Sequence, residues 1–83
     1  MGMEEERQLA SLEQLGSGAH GIIRQLQGGK EFVSRLTAMG LSIGSEFEVM
    51  QNRGHGPVLV KVRGTRIAFG RGEALKILVE ELQ

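Results

Sequence analysis

Cysteine, aspartate, tyrosine and tryptophan are all missing from this chain, and proline occurs once, as Pro57. Each absence excludes a class of chemistry. Without cysteine there are no disulfides and no thiolate zinc sites, and a reducing compartment is the natural setting. Without aspartate there is no Ser-His-Asp triad and no EF-hand loop. Without tyrosine and tryptophan most stacking platforms for nucleic-acid bases are lost. No apolar run approaches the ~20 residues of a membrane-spanning helix. The start, Met1-Gly2-Met3-Glu4-Glu5-Glu6-Arg7, has no apolar signal core, so a cytoplasmic location is expected. Ten lysines and arginines balance ten glutamates. A protein that neutralises many phosphates usually carries a basic excess, so no nucleic-acid partner is expected.

Glycine is the opposite case. Thirteen of the 83 residues are glycine, well above the ~7% of average usage, which implies many tight turns between short strands. Residues 1–8 read as a flexible polar tail, and the Glu4-Glu5-Glu6 run as a solvated acidic stretch. Residues 9–83 read as one domain. Leu9, Leu12 and Leu15 recur at helix-like spacing but suit an extended segment equally well. Gly16-Ser17-Gly18 forms a turn, and Ala19–Leu26 a strand centred on Ile22 and Ile23. A helix is predicted over about 30–39, with Phe32, Leu36 and Met39 on one stripe and Gly40 as its left-handed stop. Phe47 and Val49 alternate with Glu46 and Glu48, as in a half-buried strand. Residues 51–57 form a loop, Val58–Arg63 and Arg66–Phe69 a hairpin, 72–76 a helical turn, and Ile77–Val79 a closing strand before a polar tail.

The hairpin permits a register prediction. A Gly64-Thr65 loop of type II′ sets Arg63 opposite Arg66, Val62 opposite Ile67, Lys61 opposite Ala68 and Val60 opposite Phe69. All apolar partners then share one face. The expected fold class is mainly β: a small SH3-like barrel of five to six short strands with one inserted α-helix and a short helical turn.

The possible sites are few. Gly16-Ser17-Gly18-Ala19-His20-Gly21 matches G-x-G-x-x-G in form, but it opens a β-branched stretch and no βαβ unit follows. His20 and His55 are candidate transition-metal ligands, with glutamates to complete the sphere; the alternative is solvated histidine, because no His-x-x-x-His pair exists. Arg53, Lys61, Arg63 and Arg66 form a candidate basic patch for an acidic partner, or else a solvated edge protected by charge. Glu46 and Glu48 lie on one strand face and could neutralise that patch. No serine stands in a nucleophile-elbow context, and no enzyme is expected.

Three blocks carry a family resemblance. They are Leu12-x-x-Leu15-Gly16 through Ile22-Ile23 to Gly28-Gly29; Arg35-Leu36-x-x-Met39-Gly40-Leu41-x-x-Gly44 with Phe47-x-Val49; and Gly56-Pro57-x-x-Val60-x-Val62-x-Gly64 with Arg66-Ile67-Ala68-Phe69-Gly70-Arg71-Gly72-x-Ala74. Together, over about Leu9 to Val79, they resemble the ferrous iron transport protein A (FeoA) family. The central block also makes structural sense alone: Leu36 and Met39 anchor a helix on the barrel, Gly40 stops it, and Leu41 returns to the core. Phe69 stands where the family often has leucine.

The resemblance implies an SH3-like barrel and a cytosolic accessory of iron uptake. The implied partner is FeoB, the membrane ferrous iron transporter with a cytosolic GTPase part. It implies no membrane insertion and a monomer or weak homo-oligomer. It brings no agreed metal ligands, so weak Fe2+ or other divalent metal binding stays an alternative, as a sensor or carrier. An RNA-binding small barrel is a second alternative. The same module ends DtxR-type iron-dependent repressors; no winged helix precedes it here, so a repressor role is not expected.

Overall fold

A computed structural model describes residues 8–82; the Glu4-Glu5-Glu6 stretch lies outside them. Strand β1 (Ala10–Ser11) leads into a 3-10 turn (Leu12–Gln14). There follow β2 (His20–Leu26), helix α1 (Lys30–Ala38), β3 (Glu46–Gln51), β4 (Val58–Val62), β5 (Thr65–Phe69), helix α2 (Arg71–Ala74) and β6 (Ile77–Leu82). The strands form one antiparallel sheet in the order β1-β6-β2-β3-β4-β5. The sheet curls into a small barrel of the expected mainly β class. Among the described residues no ladder joins β5 to β1, so the barrel has a seam.

Alternation decides what goes inside. Val58, Val60 and Val62 of β4 and Ile67 and Phe69 of β5 are buried, and their neighbours Lys61, Arg66 and Ala68 are exposed. This is the period-2 pattern of a strand with one face on a core. Helix α1 closes one side with Phe32 and Leu36, one turn apart. Leu41 follows it into the core, at 1% exposure. Met39 does not: it is 39% exposed. It sits at the C-cap, where Gly40 (φ +97°) turns the chain and the Leu41 N–H bonds back to the Leu36 carbonyl at 2.9 Å. The predicted stripe therefore holds at Phe32 and Leu36 and fails at its last member, because the turn rotates Met39 outward.

Two other expectations need correction. The closing strand runs on to Leu82 instead of stopping at Val79. His20, Gly21 and Ile22 pair with Leu82, Glu81 and Glu80, and Glu80 pairs with Arg24 at 2.8 Å. The tail continues as a strand because β2 pairs with it as far as Leu82.

The second correction is the hairpin register. The two turn residues are Arg63 and Gly64, not Gly64 and Thr65. Val62 faces Thr65, Lys61 faces Arg66, Val60 faces Ile67 and Val58 faces Phe69. Arg63 has φ 53° and Gly64 φ 81°, the left-handed pair of a type I′ turn. Both registers bury the same valines, isoleucine and phenylalanine, because they differ by two residues along one strand. Burial could not separate them; the twist of the turn did. Arg63 is the only described non-glycine residue with positive φ. Arg63→Asn should therefore stabilise the protein by about 0.5 kcal/mol, since asparagine tolerates this region better. A thermal melt would show it as a rise of about 2–4 °C.

Candidate partner-binding face

The registers of five strands place one row of side chains across the solvent face of the sheet. Leu82 of β6 lies beside His20 of β2, His20 beside Glu48 of β3, Glu48 beside Lys61 of β4, and Lys61 beside Arg66 of β5. A depression of about 470 Å³ opens over part of this row. Its lining includes His20, Glu46, Glu48, Lys61, Arg63 and Leu82. Carboxylates stand on its β3 wall, and cations on the side of β4 and the hairpin turn.

Of the nine lysines and arginines among the described residues, four are engaged by other side chains, and Lys30, Arg53, Lys61, Arg63 and Arg66 are not. Arg24 pairs with Glu80 at 2.8 Å, Arg35 with Glu73, and Arg71 with Glu13 at 3.3 Å. Lys76 lies over the Phe32 ring, 5.4 Å from its centre, and Arg35 flanks the same ring at 5.7 Å. By contrast, Lys61, Arg63 and Arg66 have no ion pair or side-chain hydrogen bond among the described residues. All three are exposed and belong to a single hairpin. Lys61 faces Glu48 in register, yet no ion pair within 4 Å joins them. The predicted facing of Arg63 and Arg66 is replaced by that of Lys61 and Arg66. Three cations without a direct ion pair thus gather on one hairpin of a chain with no net charge.

Arg53 does not join them. It lies in the loop of residues 52–57, before β4, whereas Arg63 follows the other end of that strand. The five residues of β4 separate the two by roughly 17 Å. His20 begins β2 opposite Glu48, and His55 is in the 52–57 loop. Among the described residues, no group of three or more histidine or acidic side chains is placed to hold a metal ion.

One polar cluster was not anticipated. The Arg71 guanidinium, at the start of α2, donates from Nη1 to Asn52 Oδ1 at 3.1 Å and to the Gly56 carbonyl at 3.0 Å. From Nη2 it donates to the Glu13 carbonyl at 3.1 Å and to Glu13 Oε2 at 3.3 Å. Asn52 Nδ2 donates to the carbonyls of Glu13 at 3.0 Å and Leu15 at 2.6 Å. The forked, planar guanidinium suits several acceptors at once. The cluster ties the 3-10 turn, the 52–57 loop and α2 together across the open seam. Arg71 is the arginine of the Gly70-Arg71-Gly72 segment; its spacing of 58 residues from Glu13 hid the contact from any local pattern.

No helix of the described residues is long and apolar enough to cross a membrane. Comparison with known proteins places the molecule. The FeoA domain family model matches residues 10–81. A protein of Methanocaldococcus jannaschii named for Fe(2+) transport, transport protein A, is 39% identical over 66 residues, covering 80% of this chain and 79% of that one. The crystal structure of an iron uptake regulatory protein, FeoA, superposes with a TM-score of 0.84 at 32% identity, over 90% of this chain and all of the other. A manganese-dependent transcriptional repressor shares the fold at a TM-score of 0.83 and 19% identity; 98% of this chain covers 48% of the repressor. With a family model spanning nearly the whole described chain and a relative of this identity, the chain belongs to the FeoA family.

Proposed function

We propose that this protein is a non-catalytic cytoplasmic accessory of ferrous iron uptake that binds the cytosolic GTPase part of a FeoB-type membrane transporter. The observation that carries the reading is the 39% identity to a relative named for Fe(2+) transport, together with family membership over residues 10–81. The three unpaired cations of the β4–β5 hairpin support it, because an acidic partner surface would complement them. The shallow, mixed-charge depression beside them resembles an interface more than an enclosed substrate pocket.

Calorimetric titration with the transporter's cytosolic part tests the reading. The wild-type protein should bind. Replacing both Arg63→Glu and Arg66→Glu should weaken binding at least about tenfold, or ~1.4 kcal/mol. An unchanged Kd would remove the hairpin from the interface. No binding by the wild-type protein would remove the partner.

A further inference from the structure

The last strand of the sheet, β5, has an edge that no other strand covers among the described residues. The Arg63–Gly64 turn decides which backbone groups lie on it. In a two-residue hairpin the residues flanking the turn exchange both backbone hydrogen bonds, and bonded pairs then alternate with non-bonded ones. Thr65, Ile67 and Phe69 thus direct their N–H and C=O groups to β4, and Arg66 and Ala68 direct theirs outward. Among the described residues no other backbone group bonds Arg66 or Ala68 from that side. Both are exposed.

An open edge of this kind is a template for a further strand, and proteins guard such edges with proline, bulges or charge. Strand β5 contains no proline, and it pairs with β4 without a register shift. Its guard is charge: Arg66 on the strand, Lys61 opposite it and Arg63 at the turn. That guard is selective. A second copy of this hairpin would bring the same three cations against them. A strand bearing carboxylates would be attracted.

We propose that the β5 edge takes up an extended acidic segment of a partner as an added strand. The backbone of Arg66 and Ala68 supplies the hydrogen bonds, and Lys61, Arg63 and Arg66 select for carboxylates. The inference rests on the functional reading above in one respect: it assigns the segment to the transporter's cytosolic part.

The test follows amide hydrogen exchange at Arg66 and Ala68 by NMR. The probes are a blocked eight-residue peptide of alternating valine and glutamate and its valine–lysine counterpart. With saturating acidic peptide, exchange at both amides should slow about tenfold, equivalent to ~1.4 kcal/mol. The basic peptide should leave exchange unchanged. Ala68→Pro removes an outward donor without removing a β4 bond, as edge strands tolerate, and should abolish the protection at Arg66. As a variant that retains the strand backbone, Lys61→Glu with Arg66→Glu should reverse the preference between the two peptides. Unchanged exchange with the acidic peptide overturns the proposal; so does equal slowing by both peptides. If the transporter's cytosolic part binds wild type and Ala68→Pro with one Kd, its interface lies elsewhere: the edge assignment falls and the functional reading stands. If the acidic peptide protects the edge but the transporter does not bind, the functional reading falls and the edge site stands.

Discussion

Replacing Gly21 by alanine should cost about 3 kcal/mol of folding stability, the upper end for an added methyl in a packed interior. Gly21 is buried in β2, between Phe47 of β3 and Glu81 of β6. A Cβ placed on it would stand 2.2 Å from the Glu80 carbonyl oxygen and 3.1 Å from the Glu81 Cα. These are backbone atoms, so no side-chain rotation relieves the clash. The two strands would have to separate where β6 passes closest to β2. Glycine inside a strand marks such a close backbone approach. At about 4–8 °C per kcal/mol for a domain of this size, the melting temperature should fall by roughly 12–24 °C. Calorimetry or far-ultraviolet circular dichroism is the measurement, since the chain has no tryptophan or tyrosine to report by fluorescence. Gly16→Ala is the matched control. A Cβ there meets nothing within 4 Å, and its change should stay within about 0.5 kcal/mol. Equal effects of the two substitutions would refute the close-approach account.

The second large effect is expected at Arg71. Arg71→Ala deletes the guanidinium that links Glu13, Asn52 and Gly56, and should cost about 2–3 kcal/mol, as for hydrogen bonds made by a partly buried charged group. Arg71→Lys keeps the charge but cannot fork to acceptors on two separate segments, so it should recover less than half of the loss. Hydrogen exchange should rise in the 3-10 turn and the 52–57 loop before it rises in β3 or β4. Full rescue by lysine would show that charge alone, not the fork, holds the seam.

These two sites also show why the molecule was only partly legible beforehand. Gly21 stood in a glycine-containing segment read as a turn followed by a strand. Nothing in that segment says that the glycine lies against a strand 59 residues further on. Arg71 lies in the Gly70-Arg71-Gly72 segment, which shows no role by itself, because its acceptors come from two distant stretches, Glu13 and the 52–57 loop. The candidate cations fared differently. Lys61, Arg63 and Arg66 were legible as one hairpin, and the structure keeps them together and unpaired. Arg53 belonged to the same set by charge, but β4 separates it from the others.

Taken alone, the amino-acid sequence determined the types of the main elements, the buried faces of β3, β4 and β5, and the helix at Phe32 and Leu36. These depend on periodicity and on glycine stops, which are local. It determined the parity of the β4–β5 pairing, since alternation assigns each residue to a face. It did not determine which of two same-parity registers forms, because both bury identical side chains. The sheet's twist chose the Arg63–Gly64 turn and thereby which backbone groups of β5 face outward. The extension of β6 to Leu82, the outward turn of Met39 and the Arg71 tie across the seam were likewise decided by tertiary structure. Each depends on a surface supplied by residues far away in the chain, and no local pattern encodes such a surface.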